Sequence, residues 1–239
     1  MKRTLTLLAG DTRHYTRDAM YVLILCAPVL IFGLLRFGIP ELASVLWTQF
    51  AFELTPYTPL IFIFLCTLPP MIYGMLIGLV LLDEQDEDII RFVAVTPLSR
   101  NGYIRRKFVL PTLMAFLFLL VFFWFSGFGN GKLLRFIPLA MLLSTEALLA
   151  GMFLVGLAEN KVEGLALSKA MGIYIVALIV GFLVQSPVQY VAGLSPVFWI
   201  AEAYWADSFL VYLINLGVGI FTHTGLFILL YRRFNRKIF

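Results

Sequence analysis

Residues 57–82 contain no charged side chain. About 20 consecutive apolar residues are enough to cross the hydrocarbon core of a bilayer as a helix. Five further apolar blocks, at about 19–38, 108–128, 136–158, 170–186 and 210–231, match the same length. Of the 239 residues, 61% are hydrophobic and 13% are charged, whereas a soluble domain carries about a quarter charged residues. Mean hydropathy is +0.94. These values exclude a soluble enzyme, a nucleic-acid-binding domain and a disordered tail. The chain reads as an all-α integral membrane protein with six transmembrane helices, forming a single transmembrane domain over 1–239.

The segments between the blocks differ in kind. In residues 1–18, Leu5, Leu8, Thr12 and Tyr15 fall at helical spacing, with Lys2, Arg3, Arg13 and Arg17 mostly elsewhere. That pattern predicts a helix lying on the membrane surface. Residues 39–56, bracketed by Pro40 and Pro56 and containing Glu41, Gln49 and Glu53, predict an interfacial or re-entrant segment. Pro69-Pro70 predicts a kink in the second span. Residues 187–209 hold Pro187, Pro196, Glu202 and Asp207. They are too interrupted for one span and too short for two, which predicts a re-entrant pair of short helices on the external side, before the sixth span.

Orientation follows from the basic residues, which collect on cytoplasmic loops. The N-terminus, the 83–107 loop, the 159–169 loop and the C-terminal tail hold 15 of the 18 Lys and Arg residues. Both termini are therefore expected in the cytoplasm. The net charge of +4 is a matter of topology here, and no nucleic-acid partner is expected. Cys26 and Cys66 sit inside apolar runs and imply packing, with no disulfide framework.

The most polar stretch, 83–107, reads DEQDEDIIRFVAVTPLSRNGYIRRK. Its clustered acids predict a helix that carries the second span into the cytoplasm. Ile89, Phe92, Val93 and Thr96 make an apolar stripe, Pro97 ends the helix, and Arg105, Arg106 and Lys107 anchor at the headgroups. The product is an acidic-then-apolar knob joined to two transmembrane helices. Positive-inside logic does not explain its acids.

This loop resembles the first cytoplasmic loop of type-2 ABC transporter permeases, with its acids, its Thr-Pro-Leu-Ser and its Tyr-x-x-x-Lys. ENKVEGLALSK at 159–169 is similar to the second cytoplasmic loop of the branch known as drug or fluoroquinolone export permeases. The order of elements matches along nearly the whole chain. The resemblance implies the permease subunit of an ATP-binding cassette exporter in a bacterial inner or plasma membrane. It implies pairing with a second copy or a related permease, and a separate ATPase subunit that binds ATP and Mg. It assigns the coupling helix to Asp83–Pro97, with Asp83, Glu84, Glu87, Asp88, Ile89, Phe92, Thr96 and Pro97 as the docking positions. The surface helix and the 159–169 loop would be secondary contacts.

No G-x-x-x-x-G-K-[ST] phosphate loop is present, since Gly131-Lys132 has Ser126 where the first glycine belongs. The chain is expected to be no enzyme and to hold no cofactor of its own. His14 and His223 lack metal-ligand spacing, so no metal is expected.

Glu146 lies near the middle of the fourth span, where a carboxylate costs about 2.5–3.5 kcal/mol on insertion scales. One reading puts it on a translocation path, facing a polar or cationic substrate. The other is a structural hydrogen bond to Asn215, His223 or Gln185. A standalone secondary transporter or channel using Glu146 is the alternative to the ATP-driven reading, and would need intramembrane charge pairs. Gly74-x-x-x-Gly78 fits a close helix-packing face. Trp199, Tyr204 and Trp205 fit an interfacial aromatic belt or an external gate.

Overall fold

The computed structural model describes residues 19–94, 100–127 and 133–238. The surface-helix expectation for 1–18 lies outside them. The described residues are helical, with no strand. Six helical stretches are long and apolar enough to cross a membrane: Cys26–Phe50, Thr55–Asp86, Gly102–Phe125, Leu133–Leu157, Lys161–Leu183 and Phe209–Ile238. The chain is a multi-pass membrane protein.

The first of these departs from the sequence reading. Helix α1 (Ala19–Gly33) passes through a π-helical turn (Leu34–Gly38) directly into α2 (Ile39–Phe50). Residues 39–50 therefore extend the first helix and do not form a separate segment. Pro40 is accommodated because it directly follows the π-helical turn, where the hydrogen-bond ladder changes register. The helix stops at Ala51, whose φ of 51° is left-handed. The Phe52 N–H reaches back to the Leu46 carbonyl at 3.1 Å and that of Ala51 to Trp47 at 3.0 Å, closing the end.

Helix α3 (Thr58–Asp86) is the axis of the bundle and passes unbroken through Pro69 and Pro70. It packs on α7 (Glu146–Leu157) at very short range. A Cβ added to Gly74 would lie 2.5 Å from the Ala147 carbonyl oxygen, and one on Gly78 2.9 Å from Leu154 Cβ. With little apolar drive between helices in lipid, small residues earn their place by letting backbones approach. The Gly74–Gly78 expectation is thus met, with Gly151 on the facing helix, where an added Cβ would sit 2.7 Å from the Phe108 ring.

After α3 come the short α4 (Ile89–Ala94), α5 (Arg100–Phe125) and α6 (Leu133–Ser144). The fourth span is α6 followed by α7, with a single tighter turn at Thr145, where the Thr145 N–H bonds Leu142 O at 3.1 Å. Helix α8 (Lys161–Ala170) replaces the polar connection expected at 159–169 and leads through Met171 into α9 (Gly172–Leu183). A 3-10 helix (Pro187–Leu194) and α10 (Pro196–Tyr204) form the expected pair of short helices, and α11 (Phe209–Ile238) runs on through the basic tail. Trp199, Tyr204 and Trp205 are partly buried and packed against the core. Trp199 donates to the Gly193 carbonyl at 2.8 Å, and Tyr204 stacks on Phe62 at 5.3 Å. They knit the short helices into the bundle. Cys26 and Cys66 are both free thiols.

Candidate functional site

Two places concentrate polar chemistry: the C-terminal end of α3 and the junction of α6 and α7 at the middle of the fourth span.

At the first, the acids separate by role. Helix α3 ends at Asp86, short of Asp88, whose φ of 58° is left-handed. Carboxylates at a helix C-terminus oppose the dipole, and Asp tolerates left-handed backbone better than most residues. The knob is therefore a corner between α3 and α4, not the rigid extension of α3 that the sequence predicts. Glu84 is buried and ion-paired with Lys107 of α5, and it accepts from the Tyr103 hydroxyl at 2.8 Å. Lys107 is buried too, so it does not anchor at headgroups; exposed Arg105 and Arg106 remain suited to that.

Asp83 pairs with Lys161 Nζ at 2.9 Å, and Asp86 accepts from the Lys161 N–H at 3.0 Å. Asn160 caps α8 through the Glu163 N–H at 2.9 Å, and the Glu163 carboxylate returns to the Glu159 N–H at 2.7 Å. This reciprocal capping explains why a helix starts there. Glu87, Asp88 and Phe92 are exposed, Ile89 is half-buried, and Ile90 points into the core. Thr96 and Pro97 lie outside the described residues.

At the second place, Glu146 is buried with its Oε1 2.9 Å from His223 Nε2 of α11. It also accepts from the Tyr174 hydroxyl of α9 at 2.7 Å. Tyr174 in turn accepts from the Val197 N–H at 3.2 Å. His223 Nδ1 faces the Gly219 carbonyl at 2.7 Å. Of the three partners considered for Glu146 on sequence grounds, His223 is the one in place. Tyr174 was not legible: a single tyrosine in an aliphatic span carries no sign of where it points.

The Glu146 carboxyl forms part of the wall of a cavity of about 800 Å³ between α7, α9, the 187–194 segment, α10 and α11. Its other walls include Met171, Val176, Val180, Val191, Leu226 and Leu230. Among the described residues, no cluster of His, Cys, Asp and Glu has the makings of a metal site.

Six membrane-length helices, a buried carboxylate at mid-span and an apolar cavity beside it define a polytopic membrane protein. The family model described as fluoroquinolones export permease protein Rv2686c-like matches residues 11–231. The chain belongs to that family. Two curated relatives, the fluoroquinolones export permease proteins MT2760 and Rv2686c of two Mycobacterium tuberculosis strains, are each 25% identical over 202 residues. Each alignment covers 83% of this chain and 80% of the relative. No solved structure matches significantly.

Proposed function

We propose that this chain is the permease half of an ATP-driven exporter of amphipathic, drug-like molecules, fluoroquinolones among the first to test. Two permease subunits, identical or related, would enclose the path, and a separate ATPase subunit would bind ATP and Mg. The chain itself would hydrolyse nothing, since it lacks a phosphate loop. It would lie in the bacterial inner membrane with both termini in the cytoplasm, as the distribution of Lys and Arg supports.

One observation carries the coupling assignment. Glu87, Asp88 and Phe92 stand exposed on a corner tied to α5 through Glu84–Lys107 and to α8 through Asp83–Lys161. An ATPase subunit gripping Glu87, Asp88, Ile89, Phe92, Thr96 and Pro97 would move three helices together. In this reading Asp83 and Glu84 transmit the movement from inside, and docking falls to the later residues.

The test is a pull-down of the tagged chain from native membranes in mild detergent, with mass spectrometry. A stoichiometric ATPase subunit, lost on reversing Glu87 and Asp88, is the expected result. A clean preparation without one, under conditions that preserve a known ABC complex, overturns the reading. The Glu146–His223 pair favours a second reading, a standalone secondary transporter, whose transport would persist without any nucleotide-binding partner.

A further inference from the structure

The protons around Glu146 can be counted from its hydrogen bonds. The Gly219 carbonyl accepts only, so His223 Nδ1, 2.7 Å away, carries a proton. At 2.9 Å, Nε2 and Glu146 Oε1 need a proton between them, because two bare lone pairs would repel. Oε1 also accepts from Tyr174. Whichever atom holds the shared proton, the pair has no net charge.

Of the pair, Glu146 lines the 800 Å³ cavity, where only Glu146, Tyr174 and Ser195 among the lining side chains bear polar groups. A large apolar space with one carboxylate in its wall complements a molecule with an apolar body and one positive charge. Adding such a cation beside the intact pair would leave an uncompensated buried charge, which costs several kcal/mol. Releasing the shared proton restores neutrality.

We propose that the cavity binds an amphipathic organic cation and that binding expels the proton held between Glu146 and His223. In the step, the cation replaces His223 as the partner of the Glu146 carboxylate. His223 Nε2 becomes a neutral lone pair, the proton passes to water, and total charge is conserved. The inference rests on the export reading for the cation's role as cargo. The site itself needs no ATPase subunit.

None of the other ionisable groups on the packed helices lines the cavity. On α10, Glu202 accepts from the Trp205 indole at 3.3 Å. Tyr73 of α3 packs with Ala115 and Ala147, and Cys66 of α3 is a buried thiol. Arg135 of α6 lies over the Phe209 and Tyr212 rings. Lys107 of α5 and Lys161 of α8 pair with acids of α3. Glu163 and Lys169 of α8, and Arg232, Arg233, Arg236 and Lys237 of α11, lie towards the cytoplasmic ends.

The test is titration calorimetry of the full chain in phosphatidylglycerol nanodiscs with tetraphenylphosphonium, a cation with no proton of its own to release. Buffers of different ionisation enthalpy count the protons exchanged. The expected result is one proton released per cation bound, with Kd tightening about tenfold per pH unit across the neutral range. Glu146→Gln should weaken tetraphenylphosphonium at least tenfold and abolish the pH slope. Uncharged triphenylphosphine oxide should bind that variant and the native chain alike, reporting an intact cavity. Binding without proton release, or unchanged in Glu146→Gln, overturns the proposal. If that variant does not fold, the proton count of the native chain decides alone. Adding phosphatidylethanolamine separates two sources of the cation: competition assigns the site to a lipid amine, and unchanged affinity to a soluble one.

Discussion

Lys161 ties two elements together at a single residue: its ammonium pairs with Asp83 at 2.9 Å, and its backbone N–H donates to Asp86 at 3.0 Å. The start of α8 is thereby held against the end of α3, next to the corner that carries Glu87 and Asp88.

Both partners of the Asp83–Lys161 pair keep about a quarter of their side-chain surface exposed (28% and 27%). A pair so placed contributes about 0.5–1 kcal/mol and is screened by salt. Asp83→Lys should lower transport and modestly lower thermal stability, and adding Lys161→Asp should restore both. A double-mutant cycle at low and high salt checks this; a coupling energy indistinguishable from zero at low salt would remove the pair from the mechanism.

Glu84–Lys107 belongs to a different regime. Lys107→Met leaves a buried carboxylate without its cation and should cost about 3–5 kcal/mol. Glu84→Gln combined with Lys107→Met should recover most of that loss. Thermal unfolding in detergent of the single and double variants is the measurement, and an equal loss in both would mean that packing, not charge, dominates there.

Reversing Glu87 and Asp88 together should reduce transport about tenfold, the equivalent of about 1.4 kcal/mol at an interface. Insertion should be unchanged, since both side chains are exposed, and stability should fall by no more than about 1–2 kcal/mol, the cost of a basic residue in the left-handed backbone of Asp88. Transport assays beside fluorescence-detected size exclusion separate the two effects. Full transport in a stably inserted variant would dismiss the corner as the docking point.

Gly74→Ala should destabilise by about 1–3 kcal/mol, because its Cβ would meet backbone atoms of α7 that cannot yield. Gly217→Ala, with nothing within 4 Å of the added carbon, should be neutral or slightly stabilising. Comparing the two by thermal unfolding distinguishes close packing from a general intolerance of change in membrane glycines.

Tyr174→Phe removes the hydroxyl that Glu146 accepts from and that takes the Val197 N–H. Leaving those groups short of a partner should cost about 1–3 kcal/mol. A melting temperature equal to the native chain's would show that another group replaces the hydroxyl.

Apolar blocks such as 57–82, and the scarcity of charge within them, determined the six-helix membrane fold directly, because only helices and closed barrels satisfy their own backbone hydrogen bonds in lipid, and a barrel needs short strands of alternating polarity. The pair of short helices at 187–204 was legible in its prolines, and the close packing of α3 on α7 in Gly74 and Gly78. Continuation of α1 into α2 was hidden, since the polar residues of 39–50 speak against a span while the π-helical turn before Pro40 becomes visible only in the folded helix.

The site divides in the same way. A mid-span carboxylate announces itself by its cost, so Glu146 could be singled out from sequence alone. What it touches is a property of three helices meeting: Tyr174 and His223 lie 28 and 77 positions away. Composition likewise revealed the acids of 83–88 as a group. Only tertiary packing decided that Glu84 turns inward to Lys107, that Asp83 and Asp86 take Lys161, and that Glu87 and Asp88 face outward. Burial and partner choice depend on distances across the bundle, which local spacing does not contain.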